Sequence, residues 1–361
     1  MVSVEPRRSQ QAVQLALWPV FETSKSNMVA LYDLAPRFVF EARPDGDGKK
    51  TVIDREFSFG GKRYKITMKP TRLVLEDQSE IDRYLGEREQ IVEEVIRRLA
   101  SGPNRLTLIG DNKVRFPFTL NEVRTELKRV KHTYNLDEIR EAITLLNEVR
   151  IRIEEVDSRK SALLSAPAFP VMGMRRRGDD GDRETFVEFN PLVADAIRTL
   201  AFQQVAYEVL MEIRDPVARW LLKRLHLEIS ETGDPVQSMA ATEIRRDSGM
   251  PEWKTTRNLL RRISAAVNLL VHKGILDKVE TEELKNRQRK EDIIFVMRAS
   301  PGFLAEVQRS VQLAKENIED FARVTNGQTP TTAFIPISTG EAFKLREKRR
   351  QALPRRGAAA E

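Results

Sequence analysis

Residues 239–280 read MAATEIRRDSGMPEWKTTRNLLRRISAAVNLLVHKGILDKVE, and the punctuation of this stretch decides the fold. MAATEIRRD has helical spacing over 239–247. SGMPE interrupts it with glycine and proline. Apolar residues then recur at helical spacing from Trp253 to Lys273, where Gly274 supplies a C-terminal stop. The period changes to two in ILDKVE and again in DIIFVM, which flank the charged run TEELKNRQRKE over 281–291. The spacing predicts a short helix, a turn, a long helix and a strand-loop-strand ribbon.

The long helix is strongly two-sided. At about 100° per residue, Lys254, Arg257, Asn258 and Arg261 share roughly a third of the circumference, and Leu259, Leu260, Ile263, Val267 and Leu270 lie opposite. No acidic residue lies between Trp253 and Gly274. Second in a helix-turn-helix, such a face suits the DNA major groove. Its Arg and Lys side chains match guanine O6 and N7, and Asn258 matches adenine. Thr255 and Thr256, near the helix start, match a phosphate or a thymine methyl. Arg262 extends the basic run. The ribbon tip adds Lys285, Arg287, Arg289 and Lys290, placed to meet phosphates or a minor groove, although Glu280, Glu282 and Glu283 precede them. The bland alternative for the helix is a solvated amphipathic surface, and for the tip a solvated hairpin.

Outward from this stretch, the same order recurs. Phe202 to Ile213 is apolar-periodic, and Asp215-Pro216 opens a helix running through VARWLLKRLHLEI. Earlier, Thr119-Leu-Asn-Glu122 forms a capping box ahead of the stripe Leu120, Val123, Leu127 and Val130. HTYN breaks that stripe, and Leu136, Ile139, Ile143 and Leu146 make the next. RIRIEEV, the polar knot RRRGDDGD and ETFVEF then suggest a two-stranded ribbon with a charged tip. Two helices, a turn and a ribbon, twice over, is the order of paired winged helices. The expected fold is therefore α+β, with two tandem winged-helix domains and a flexible basic C-terminal tail. The expected divisions are a mobile arm at 1–27 leading to a strand near Val29, an N-terminal domain at 28–189, a C-terminal DNA-binding domain at 190–324 and a disordered tail at 325–361. FSFGGKRYKIT predicts a tight hairpin about Gly60-Gly61, and LTLIGDNKVRFPF predicts a second. Residues 77–100 and 301–323 have the spacing of helices.

The charge of the first repeat differs from that of the second. Its second helix carries Asp137, Glu138, Glu141 and Glu148 against Arg140, a poor face for a polyanion. Its first helix offers Arg124, Lys128 and Lys131 at helical spacing, and its tip carries Arg175, Arg176 and Arg177 beside Asp179, Asp180 and Asp182. These suit phosphate contact, a solvated face or a protein surface. The division expected is sequence reading by the C-terminal domain, with positioning or pairing by the N-terminal one.

The 361 residues include no cysteine, which excludes disulfides, thiolate metal sites and a thiol nucleophile. The formal net charge of +7 favours an anionic partner, and four of those charges sit beyond residue 340, where seven basic residues face three acidic ones. No run of 18 apolar residues and no secretory leader are evident, so a cytoplasmic, membrane-free location is expected. Gly60-Gly61-Lys62 lacks the upstream glycine of a phosphate-binding loop, and His132, His226 and His272 stand in separate segments without metal-ligand spacing. The expectation is a non-enzyme with no cofactor and no metal.

FVEFNPLVADAIRTL, then DPVARWLLKRLHLEI, MAATEIRRDSG and WKTTRNLLRRISAAVNLLVHKGIL, a ribbon and a terminal helix resemble, over about 186–312, the bacterial replication initiators that bind repeated origin sites (iterons) with paired winged helices. The family includes plasmid initiators and those of some secondary chromosomes. The resemblance implies a DNA-binding protein of replication initiation in which residues 254–262 read bases of origin DNA. It also implies that the N-terminal domain either contacts adjacent DNA as a monomer or forms a dimer, and that host initiator and helicase are recruited. The acidic second helix of the first repeat departs from the family pattern. A winged-helix transcriptional regulator is the alternative within the fold, and a nicking or primase-like replication enzyme is the alternative from another class.

Overall fold

The computed structural model describes residues 25–40, 52–74, 80–102, 105–109, 113–156, 163–174, 185–253, 255–286, 289–325 and 327. The chain begins with β1 (Lys25–Met28) and α1 (Ala30–Leu34). The hairpin β2 (Ile53–Phe59) and β3 (Lys62–Lys69) follows, then the short pair β4 (Thr71–Val74) and β5 (Glu80–Arg83), α2 (Glu87–Ala100), and the hairpin β6 (Thr107–Ile109) and β7 (Lys113–Phe118). Next come α3 (Leu120–Arg129), α4 (Leu136–Glu148), β8 (Arg150–Glu155), β9 (Leu163–Ala166), β10 (Val171–Gly173) and β11 (Thr185–Glu188). The linking elements are α5 (Pro191–Thr199), β12 (Gln203–Ala206) and α6 (Tyr207–Glu212). The last part is α7 (Pro216–Thr232), β13 (Val236–Ala240), α8 (Ala241–Ser248), α9 (Thr256–His272), β14 (Leu276–Asn286), β15 (Arg289–Ala299) and α10 (Pro301–Val324).

Local chemistry accounts for many of these boundaries. Gly60 and Gly61 take φ of 56° and 76°, the doubly left-handed turn that matches strand twist, and Phe59 pairs with Lys62 across it. Thr119 Oγ1 accepts from the Glu122 amide at 3.1 Å, and the Glu122 carboxylate accepts from the Thr119 amide at 2.7 Å. Asn135 and Glu138 repeat that box, so the HTYN break ends on the cap of the next helix. Asp215 caps α7 through the Ala218 amide, and Gly233, at φ 69°, stops it.

Several elements differ from their expected form. The first strand begins at Lys25 and pairs antiparallel with β12, while Val29 leads into a helix. The polar run there is buried because it finds distant partners: Ser26 Oγ donates to Glu94 at 2.6 Å and Asn27 Nδ2 to Ser101 at 3.2 Å. The helix expected over 77–100 starts only at Glu87, because Glu80–Arg83 pairs with β4 and Gly86 caps the helix. The apolar stretch 202–213 is a strand followed by a short helix. Met239 is 2% exposed in a strand, not in α8, and that strand completes the sheet β13-β15-β14.

The ribbon expected from RIRIEEV and ETFVEF is also corrected. β8 lies between β3 and β9, in the sheet β2-β3-β8-β9, whereas β10 and β11 pair with each other and join β7 and β6. Ile151 and Ile153 face the core beside Ile66 and Met68 of β3, and β9 takes the other edge of β8, so neither edge is left for the period-two segment ETFVEF. The run TEELKNRQRKE, expected as a loop, is mostly ladder: β14 and β15 stay paired to Asn286 and Arg289. The tip of 175–184, most of the arm at 1–27 and the tail from 328 lie outside the described residues.

One cluster of buried apolar residues runs from Met28 to Phe321 and joins the two halves. Beside it lies a buried ionic network. Asp33 accepts from Arg97 Nη1 and Nη2 at 2.8 and 2.9 Å and from Lys223 Nζ at 3.0 Å. Lys223 also donates to Glu94 at 3.0 Å, while Arg37 and the Tyr32 hydroxyl donate to Glu93 at 2.8 and 2.7 Å. Burial opposes ionisation of Asp33, but Arg97 and then Lys223 outweigh it and hold the carboxyl well below the usual range; Glu94 is lowered by the same balance, led by Lys223. Nearby, Arg224 donates to the Ser58 carbonyl at 2.7 Å and the Ser58 amide to Asp247 at 3.1 Å, fixing β2 to α7 and α8.

Removing the ammonium leaves three buried carboxylates against two guanidinium groups. Lys223→Met is therefore expected to cost about 3–5 kcal/mol of unfolding free energy, measured by urea denaturation; an unchanged midpoint would contradict the role given to Lys223.

His226 is fully buried, edge-on to Phe303 at 6.1 Å, and neither ring nitrogen has a hydrogen-bond partner among the described residues. Burial, with a smaller effect of Lys25, pushes its pKa down from 6.5 to about 3. The unfolded chain takes up this proton below its ordinary value while the fold resists it. The related stability is thus complete above about pH 6.5 and falls by about 1.4 kcal/mol per unit below it. His226→Leu is expected to flatten stability between about pH 6.5 and 4, leaving the steeper loss at lower pH that protonation of Asp33 and Glu94 produces. A slope identical to that of the unmutated chain would refute the assignment.

Candidate nucleic-acid interface

α9 owes its position to its apolar side. Leu259, Ile263, Ala266, Val267 and Leu270 are buried, and the helix packs against α7, α8 and β14. Thr255 begins it, with Oγ1 accepting from the Asn258 amide at 3.3 Å. The opposite surface is open: Thr255, Thr256, Arg257, Asn258, Arg261, Asn268 and His272 are exposed. Arg257, Arg261, Asn268 and His272 fall within about 60° of arc. Among the described residues, neither Arg257 nor Arg261 has an ion-pair partner. Two unpaired guanidinium groups on an exposed helix face, with no carboxylate on the same helix, form a surface for polyanion contact and for bidentate hydrogen bonding to guanine.

The predicted residues divide in the structure. Arg257, Asn258, Arg261, Thr255 and Thr256 share one exposed end of α9, and Lys254 beside them lies outside the described residues. Arg262 does not join them: it is half-buried and binds Asp215 at 2.6 Å, bracing the cap of α7. About 100° of helical rotation separates it from Arg261 and turns it toward that carboxylate. The backbone of Lys285, Arg289 and Lys290 lies at the far end of the β14–β15 ladder, where Lys285 is opposite Lys290; Arg287 lies outside the described residues.

In the N-terminal half, Arg124 is half-buried on α3 and Lys128 is exposed there, whereas Lys131 lies past the helix end at φ 62°. The helical spacing expected for Lys131 fails because α3 stops at Arg129, which is held by Glu126 and by Glu208 at 2.9 and 2.7 Å. Arg175, Arg176 and Arg177 lie outside the described residues. The carboxylates of α4 are occupied within the chain. Asp137 binds Arg140 at 2.5 Å, Glu141 binds Arg88 at 2.9 Å and Glu148 accepts from Thr71 at 2.8 Å.

Sequence reasoning missed two ion pairs that set the α9 face. Lys273 binds Glu212 at 2.9 Å and Arg262 binds Asp215, so the segment joining α6 to α7 is fastened along one flank of α9. In sequence Asp215 reads as a cap; the partners of Asp215 and Glu212 lie 47 and 61 positions away.

No protein-family model and no curated protein matches the chain. Among solved structures, the chain is similar to a selenomethionine derivative of domains 2 and 3 of RctB, at 10% identity and TM-score 0.45, covering 75% of this chain and 96% of that one. A second structure of RctB domains 2–3 gives 10% identity and TM-score 0.39, covering 76% and 99%. The Pi initiator protein, solved in complex with iteron DNA, gives 10% identity and TM-score 0.40, covering 60% and 94%. At these levels of similarity the functional reading rests on this chain's own residues.

Arg257→Ala and Arg261→Ala are each expected to weaken specific duplex binding by about 1–3 kcal/mol and to narrow the gap between specific and random duplex. Thermal stability should not change, because both side chains are exposed. Arg262→Ala is expected to act the other way round, lowering the melting temperature before it touches sequence preference. Anisotropy titrations with paired melting curves separate these outcomes.

Proposed function

We propose that the chain is a sequence-specific double-stranded-DNA-binding replication initiator built from two winged-helix units. It would bind repeated origin sites and work without covalent chemistry. The observation that carries the DNA reading is the exposed, acid-free face of α9 with Arg257 and Arg261 unpaired among the described residues. The order helix, strand, helix, helix, two-stranded ribbon over 216–299, closed by the sheet β13-β15-β14, supports a winged-helix unit. The similarity of residues 186–312 to iteron-binding initiators supports the step from DNA binding to origin binding.

In this reading α9 enters a major groove, the β14–β15 tip meets the flanking backbone, and the N-terminal half contributes positioning or self-association. Several bound copies bend adjacent DNA, and the contact energy offsets the cost of its deformation, about 1–6 kcal/mol for a smooth bend of 40–90°. Recruitment of host initiator and helicase completes the proposal.

Footprinting on the DNA flanking the gene tests it. Several evenly spaced protected repeats are expected. A single protected operator would assign a transcriptional regulator instead, and no protection would overturn the reading. Supercoiled DNA carrying the repeats should remain unnicked with magnesium, as a non-enzyme requires.

A further inference from the structure

Three residues, Ile213 to Asp215, connect α6 to α7, and with Glu212 they run along the flank of the α9 face. Glu212 is fastened to Lys273 at 2.9 Å and Asp215 to Arg262 at 2.6 Å, so the joint lies antiparallel to α9. The two anchor points on the helix are about 16 Å apart along its axis. The joint's own span of about 10 Å and its side chains cover that distance. α6, which leads into the joint, is held by the N-terminal half. His132 Nε2 lies 3.0 Å from the Met211 carbonyl, and Arg129 binds Glu208 at 2.7 Å. The joint therefore lies between the cationic end of α3, with Lys128 and Lys131 exposed, and the α9 face.

The joint's side chains are not equivalent. Ile213 is fully buried, and Asp215 is half-buried and neutralised by Arg262. Glu212 is neutralised by Lys273, and its carboxyl is held below the usual range by the hydrogen bond from Lys273 with a lesser contribution from Lys131. Arg214 alternates outward between them. It is exposed and has no ion-pair or hydrogen-bond partner among the described residues. Both neighbouring acids are already engaged by cations, so Arg214 keeps its positive charge uncompensated. A helix seated in a major groove has a phosphate backbone along each flank.

We propose that Arg214 is a phosphate-contact residue, and that the joint fastened along α9 is a backbone-tracking strap linking the cationic end of α3 to the α9 face. This inference rests on the DNA reading above. A contact of this kind carries no sequence information, so it adds equally to binding of any duplex.

The test is anisotropy titration of the full chain with a mixed-sequence duplex of about three helical turns, over a series of salt concentrations. One released counterion contributes about 0.9 to the slope of log affinity against log salt. Arg214→Gln is expected to reduce the slope by that amount and to weaken binding about eightfold at 0.1 M relative to 1 M salt. Arg214→Lys is expected to restore the slope, and melting curves of both variants should match the unmutated chain. If Arg214→Gln leaves affinity and slope unchanged while Arg257→Ala weakens binding, the strap is refuted and the DNA reading stands. If Arg214→Lys behaves like Arg214→Gln, the effect is not one of charge and the proposal fails. If the unmutated chain does not bind duplex at all, the DNA reading itself falls.

Discussion

Three carboxylates and three cations share one enclosed space, and the arrangement of the chain depends on their pairing. Asp33, Glu93 and Glu94 are each below 9% exposed, as are Arg37, Arg97 and Lys223. They come from three separate stretches: the segment around α1, α2 and α7. Replacing such a set by apolar side chains would cost little, but docking the stretches in any other way strands an unpaired charge at several kcal/mol. The network therefore acts mainly as a constraint on which arrangement is allowed. It sets α7 against the N-terminal half, and α9 packs on α7. The orientation of the candidate DNA face is thus fixed by charges remote from it in sequence and enclosed within the fold.

The parts legible in the sequence were those governed by neighbours. The Gly60-Gly61 turn, the Thr119-Glu122 capping box, the Asp215-Pro216 start and the Gly274 stop each state their geometry within a few residues. The two-sided character of α9 was equally plain, since Leu259, Ile263, Val267 and Leu270 recur at core spacing with arginines opposite. Pairing between distant segments was not legible. The strand at Lys25–Met28 consists largely of polar residues, and their burial makes sense only once Glu94, Ser101 and Glu306 are seen to receive them. The choice of β3 and β9 as partners of β8, instead of β11, likewise turns on an apolar surface formed elsewhere in the chain.

Within the candidate site, the sequence identified the cations and could not say which were free. Arg261 and Arg262 are adjacent and chemically identical, yet one is exposed and the other serves as a brace for Asp215. On α4 the acids that argued against base reading are held by Arg140, Arg88 and Thr71. Their charge is therefore partly spent inside the fold, and the contrast between the halves is softer in structure than in composition.

The ladder of β14 and β15 has a mechanical side. β13 supports it only from Ile294 to Arg298, and α8 braces it at Asp292, which accepts from the Thr242 amide and hydroxyl, so the pairing beyond Asp292, out to Asn286 and Arg289, projects as a two-stranded cantilever of about 10 Å. An isolated pair of strands twists more than a wide sheet, and here a register shift falls between Leu284 and Lys285. The heading of the outermost residues is consequently an accumulated angle, the sum of small rotations at every rung. Residues along the beam that touch no ligand govern where its end arrives.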